Sequence, residues 1–279
     1  DLCPVGALTS KPYRFTARPW ELTQHESIAP HDCLGSNLYV HTRRNELMRV
    51  VPKEHESINE TWLSDRDRFS YLGLKSESRA SQPRIKRQGV WETVDWETAL
   101  KYTAEGLARV IKQYGPEQVA AFASSSSTLE EFYLLQKLLR ELGVNNLDHR
   151  LHQTDFSDQD NAPTTPTSTM AYADLDKQET IVLIGCNIHR EVPLAGIRIR
   201  KASREGAKVY AINSVDYDYH FNLTDKILVP PLEMPLQLAK LVLALSPDVK
   251  ALPEELQRLL LGLTVDKDTS LIAQALKQG

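Results

Sequence analysis

Apolar positions recur along this chain with two periods, and the change from one to the other divides it. Asn37-Leu38-Tyr39-Val40-His41-Thr42 reads as a strand of β-branched and aromatic residues. Arg44-Asn45 follows as a tight turn, and residues 46–51 return as a second strand that Pro52 ends. From Asp95 the period becomes helical, with Trp96, Leu100, Thr103, Leu107, Val110, Ile111 and Tyr114 on one stripe. Asp95 is the expected N-cap and Gly115-Pro116 the stop. An apolar strand is expected over 119–125. Thr128-Leu129-Glu130-Glu131 is then a capping-box pattern opening a helix over 129–142, which Gly143 closes. Strands are expected at 180–185, 208–213 and 226–229, with a helix between the first two that starts at Pro193 and runs to about 205. Short strand–helix–strand alternation argues for a parallel α/β sheet. The chain from Pro235 is expected to be helical, with candidates at 236–245 and 254–263.

Two stretches fit neither period. Residues 1–30 carry Pro4, Pro12, Pro19 and Pro30, with Tyr13, Phe15 and Trp20 among basic residues, and read as an irregular tail lying across another surface. Residues 75–92 are polar and basic and read as a surface crossing. The expected organisation is therefore a tail over 1–19, a small β-rich module over 20–75 and an α/β domain over 91–279.

Composition narrows the partners. The 279 residues are 41% hydrophobic and 25% charged, enough to bury a core, with a formal net charge of -4. That charge argues against nucleic acid or an anionic membrane as the main partner. Cys3, Cys33 and Cys186 are odd in number and far apart, so a reducing compartment is expected rather than a disulfide framework. No apolar run approaches the ~20 residues of a membrane-spanning helix.

Several motifs admit a chemical reading beside a plain one. Cys3-Pro4 looks like the last ligand of a ferredoxin-type 4Fe–4S run, whose other cysteines stand upstream as C-x2-C-x2-C. With no initiating Met, the chain reads as an internal piece cut just before that ligand; the plain reading is a lone thiol in a tail. Ile184-Gly185-Cys186-Asn187 follows a strand and could bring backbone amides to a nucleotide, or Gly185 could only make a tight turn. Arg198, Arg200, Lys201 and Arg204 form a basic helix face that could meet phosphate or a partner, or be a solvated face balanced by Glu191 and Glu205. His149 and His152 with Asp155, Asp158 and Asp160 could hold a metal, or be a polar loop. The hydroxyls of Ser124–Ser127 have no designated base, and Cys186 after an apolar strand reads as an inert buried thiol.

Residues 3–20, 35–71, 145–158 and 185–202 together resemble the large iron–sulfur subunit of proton-pumping NADH:quinone oxidoreductase, respiratory complex I. The resemblance runs from residue 1 to about 220, and the last sixty residues carry little of it. It implies a molybdopterin-oxidoreductase-like α/β fold, like that of formate dehydrogenase, behind a small β-rich 4Fe–4S-type module. It makes Cys3 the last ligand of a 4Fe–4S cluster in the intact subunit, orphaned here.

The departures matter as much. The family's further 4Fe–4S site, C-x2-C-x3-C with a distant fourth Cys, falls on Ala29, Asp32, Ser36 and Ser64, with Cys33 one residue out of register. Hydrogen bonding and packing are expected to replace that cluster. The Asn145-Asn146-Leu147-Asp148 turn that precedes the molybdenum ligand in formate dehydrogenases is present, but the ligand position falls at about Thr154, a poor donor to a high-valent metal.

The resemblance therefore implies a cofactor-free scaffold within a subunit that passes electrons from NADH to quinone through Fe–S clusters. The alternative is part of a molybdopterin- and Fe–S-dependent oxidoreductase. Implied partners are other complex I subunits and the N-terminal Fe–S half of the same chain, met through Arg18-Pro19-Trp20 and residues 79–87. No nucleic acid and no direct membrane insertion are expected. The implied place is the peripheral arm, on the cytoplasmic face of the bacterial inner membrane or the mitochondrial matrix side.

Overall fold

The computed structural model describes residues 3, 5–151, 156, 159–160, 162–163, 167–246 and 248–278. The chain forms two compact units, one from residues 1–68 with 167–279, the other from 69–166.

The first unit opens with an antiparallel sheet of β1 (Thr23–Ile28), β2 (Asn37–Arg43) and β3 (Glu46–Pro52), in that order. The β2–β3 hairpin turns on Arg44 and Asn45, both left-handed at φ 52° and 65°, the two-residue turn that matches strand twist. A bulge at His41/Thr42 shifts the register. Leu38 and Val50 bury the inner face, with Ala29 and Leu34 beside them in the core. Residues 23–28, expected to belong to an irregular tail, are instead a strand, paired from Thr23↔Thr42 to Ile28↔Asn37. All six are exposed, so no alternation marks them. The short helix α1 (Asp65–Phe69) follows.

The second unit corrects three expectations. Residues 75–92 are not a plain crossing: β4 (Arg84–Arg87) and β5 (Val90–Thr93) form a hairpin on Gln88 and Gly89. Helix α2 (Trp96–Tyr114) is capped by Asp95, whose carboxylate accepts from Thr98 N at 2.7 Å. The strand expected over 119–125 is only β6 (Ala120–Phe122), because the serine run turns at once into the Thr128 cap of α3 (Leu129–Glu141). Asn145–Asp148 is not a turn: β7 (Asn146–Asp148) pairs in parallel with β6. Asn146 fastens that pairing by donating its side chain to the carbonyls of Glu117 and Val119. Val119, Leu139 and Val144 form the core of this unit.

The rest of the first unit is α/β. Its strands β8 (Thr180–Ile184), β9 (Lys208–Asn213) and β10 (Asp225–Leu228) make a wholly parallel sheet in the order β10-β9-β8. Helices α4 (Ile188–Glu191) and α5 (Pro193–Arg204) link β8 to β9. β9 is buried on both faces, as a parallel strand between layers must be. Val209 and Ala211 pack towards α5 with Ile199 and Ala202, while Tyr210 and Ile212 join Leu241 and Ile272 on the other side. Leu241 comes from α6 (Met234–Leu245) and Ile272 from α8 (Lys267–Gln278); α7 (Glu254–Leu260) lies between them in sequence. Among the described residues no helix is long and apolar enough to cross a membrane.

Candidate functional site

Two places in the first unit could hold a redox group. The first is the loop and helix around β1–β3 that contain Ala29, Asp32, Ser36 and Ser64. Ala29 N donates to Ser36 O at 2.9 Å, which closes the loop between β1 and β2. Asp32 Oδ1 accepts from Leu34 N at 3.0 Å, and Asp32 Oδ2 lies 3.9 Å from Arg66 Nη2. Ser64 Oγ donates to Asp67 Oδ2 at 2.7 Å and accepts from Asp67 N, a cap on α1. The other Asp67 oxygen meets His31 Nδ1 at 2.8 Å, and the Asp67 side chain is fully buried. Ser36 Oγ and Asp32 Oδ2 are buried without a hydrogen-bond partner.

A 4Fe–4S cluster needs about four thiolates. These positions offer a methyl, a carboxylate and two hydroxyls, none of them a thiolate, and one carboxylate oxygen and one hydroxyl are already bonded locally. The residues do not fit a cluster. Cys33, the nearest thiol in sequence, is exposed and instead lies 3.5 Å from the Tyr172 hydroxyl. Burial, the Cys33 hydrogen bond and the Asp32 charge push the Tyr172 phenol up to about 12.

The basic face of α5 fastens this module to the α/β layer. Arg198, 5% exposed in its side chain, donates from Nη1 to Asp176 Oδ2 at 2.8 Å and from Nη2 to the carbonyls of Glu56 at 2.7 Å and Ile58 at 3.3 Å. Lys201 pairs with Glu60. Arg66 Nη2 donates to Glu191 O at 3.0 Å, a third tie. The reading of a solvated face balanced by Glu191 and Glu205 therefore fails for Arg198 and Lys201, whose partners are Asp176 and Glu60; Arg200 and Arg204 stay exposed. Sequence reasoning missed the clamp. Its signal was the four-residue spacing of Leu194, Arg198 and Ala202, all buried on one stripe.

The second place is the turn after β8. Gly185 is left-handed at φ 59°, and a Cβ there would meet Met234 Cε at 3.3 Å. Asn187 N donates to Glu191 Oε1 at 2.7 Å, so the amide that could cradle a phosphate already holds a carboxylate. The Cys186 carbonyl accepts from Tyr219 OH at 2.9 Å and from Asn213 Nδ2 at 3.3 Å. Burial, then the Glu191 charge, pushes the Cys186 thiol up to about 11, consistent with an inert thiol. His189 Nε2 accepts from His220 N at 2.9 Å, and burial followed by His220 holds its pKa below the usual imidazole range. An anionic dinucleotide would meet a carboxylate and a methionine methyl group here, so the turn does not fit one.

The remaining candidates do not converge. Thr154, His152, Asp155 and Asp158 lie outside the described residues. His149 packs edge-on to Phe132, and Arg150 holds Asp148 at a pKa of about 2, helped by backbone amides. Among the described residues no group of three or more His, Cys, Asp or Glu is placed to hold a metal. Ser124–Ser127 form a turn, with Ser127 N donating to Ser124 O. Cys3 is different: backbone hydrogen bonding, from Leu8 first and then Ala7 and Val5, holds the thiol below its ordinary range.

Residues 79–246 match the molybdopterin oxidoreductase family, and residues 22–72 match the NADH-ubiquinone oxidoreductase NDSU1/NuoG-like 4Fe-4S domain. The G subunit of NADH-quinone oxidoreductase from Rickettsia bellii is 40% identical over 207 residues, 74% of this chain and 29% of that protein. Its counterpart from Rickettsia prowazekii is 37% identical over 227 residues, 81% of this chain and 32% of that protein. The NADH-ubiquinone oxidoreductase 75 kDa subunit of Reclinomonas americana is 37% identical over 232 residues, 77% of this chain and 32% of that protein. The chain thus spans about a third of the length of these relatives. In fold it is similar to acetylene hydratase from Pelobacter acetylenicus, with a TM-score of 0.57 at 13% identity over 91% of this chain and 38% of that one.

Proposed function

We propose a function for a chain that belongs to the molybdopterin oxidoreductase family: it is a redox-silent scaffold within the large iron–sulfur subunit of a NADH:quinone oxidoreductase, respiratory complex I. Fe–S clusters elsewhere in the subunit carry electrons from NADH towards quinone, and this part holds them and their neighbours in place. Cys3 is the last 4Fe–4S ligand of the preceding cluster domain, to which residues 1–19 belong. Residues 20–75 and 91–279 are the β-rich module and the α/β domain built on it. The partners are the N-terminal Fe–S half of the same chain and other subunits of the complex, in its peripheral arm on the cytoplasmic or matrix side of the membrane.

One observation carries this reading. Where a cluster would need thiolates stand Ala29, Asp32, Ser36 and Ser64, with Asp32 Oδ1 accepting from Leu34 N and Ser64 donating to Asp67, which also meets His31. The backbone hydrogen bonding at Cys3 favours a thiolate there, as a metal ligand requires. The test is iron, acid-labile sulfide and molybdenum content of the purified chain, with its visible spectrum, before and after anaerobic cluster reconstitution. A colourless, folded, molybdenum-free protein is expected. Stoichiometric molybdenum, or a brown cluster that survives a Cys3→Ala change, would overturn the reading in favour of a molybdopterin-dependent oxidoreductase.

A further inference from the structure

The β4–β5 hairpin is regular but poorly covered. Of its eight residues only Ile85 is buried, at 4% exposure, and β5 is exposed throughout. A two-stranded ribbon held by one side chain is marginal in water. Its register places Arg84 opposite Thr93 and Lys86 opposite Trp91, all on the face away from Ile85. Lys86 Nζ stands 5.7 Å from the centre of the Trp91 ring, and Trp91 is 60% exposed. Beside Thr93 opens a groove of about 690 Å³ lined by Pro83, Val94, Asp95 and Trp96. Trp96 is itself 68% exposed. Residues 75–92 hold five basic side chains against two acids, Glu77 and Glu92, the second paired with Arg87, in a chain whose net charge is -4.

We propose that this ribbon face docks an extended segment of a partner polypeptide in which acidic and apolar residues alternate. The acids would lie on the face of Arg84 and Lys86, and the apolar side chains on the opposite face, beside the exposed Val90. Among the described residues each strand of the ribbon has a neighbour on one side only, so a peptide can add its own backbone hydrogen bonds at a free edge. Charge complementarity selects an acidic occupant. The open edge selects a polypeptide over a polyphosphate or lipid surface, which has no backbone to pair. The inference stands whether or not the chain belongs to an electron-transfer complex.

The test titrates the full chain with a synthetic peptide of alternating Glu and Val, following tryptophan fluorescence and heat. Saturable binding that weakens with added salt is expected, with an alternating Lys–Val peptide inert. Arg84→Glu with Lys86→Glu should weaken it by about tenfold or more, and Trp91→Ala should remove most of the fluorescence change. Arg84→Lys with Lys86→Arg should keep it. Circular dichroism checks that each variant is folded. Absence of saturable binding, or equal binding by wild type and the charge-reversed variant, would overturn the proposal. So would tighter hairpin-dependent binding to phosphatidylserine-rich vesicles or to RNA, or self-association through this face.

Discussion

Truncating Arg198 to Ala takes the donors from Asp176 Oδ2 and from the Glu56 and Ile58 carbonyls, and removes the charge 3.6 Å from Glu60. Asp176 suffers most, because its Oδ1 is already buried without a partner. Removing one partner of a buried, hydrogen-bonded ion pair costs about 3–5 kcal/mol. Asp176 keeps 30% of its side-chain exposure and can partly rehydrate, and Glu60 keeps Lys201. The expected loss is therefore at the lower end, about 3 kcal/mol. Arg198→Met, which preserves the stem and its packing, should lose nearly as much. Arg198→Lys should fall between, since an ammonium restores the charge but not the planar fork. The assay is amide exchange at Val209 and Ile212, fully buried in the same unit, combined with urea unfolding. A loss under about 1 kcal/mol for Arg198→Met would refute the argument, because it would mean that packing rather than the guanidinium bonds holds the module.

Stability should also fall as the pH drops below about 6.5. Burial, then the Arg49 charge, holds His41 below its ordinary pKa of 6.5, so between the two values the unfolded chain binds more protons than the folded one. His41→Gln should flatten that slope, leaving the share from His189; an unchanged slope in urea titrations would exclude His41. Ile212→Ala, at a site of 0% exposure between the sheet and α6 with α8, should cost about 3–4 kcal/mol in exchange protection of β9, and a cost under about 1 kcal/mol would mean the cavity collapses freely.

Elements marked by their own apolar runs, turns or capping residues were legible. The 208–213 and 37–42 strands and the capped helices at Asp95 and Thr128 needed no knowledge of their neighbours. β1 was not legible, because Thr-Gln-His-Glu-Ser-Ile is exposed on every residue and is a strand only through its pairing with β2. The hairpin at 84–93 was hidden for the same reason, its one buried residue being Ile85. The positions of the would-be ligands, Ala29, Asp32, Ser36 and Ser64, came from resemblance. What surrounds them did not: His31 meets Asp67 across 36 residues, and Arg198 meets Glu56 across 142. Local propensity carries no information on such distant pairs. The spacing of Leu194, Arg198 and Ala202 could have placed an arginine on a buried stripe, though the sequence reading took it for a basic face, and it could not name what the arginine bonds.

The Arg198 clamp also has a timetable. Its acceptors at 56–60 are synthesised well before the arginine that satisfies them, with the whole of residues 69–166 in between. At ordinary rates of about 5–20 residues per second, the β-rich module leaves the ribosome roughly 7–28 s before α5 does. Through that interval the Glu56 and Ile58 carbonyls have no Arg198 to bind, and Arg66 has no Glu191 carbonyl. Closing so long a loop comes late, so substitutions at Arg198 should speed unfolding far more than they slow folding. The nascent chain passes through a window in which these carbonyls are left to water, and the arrival of one arginine ends it.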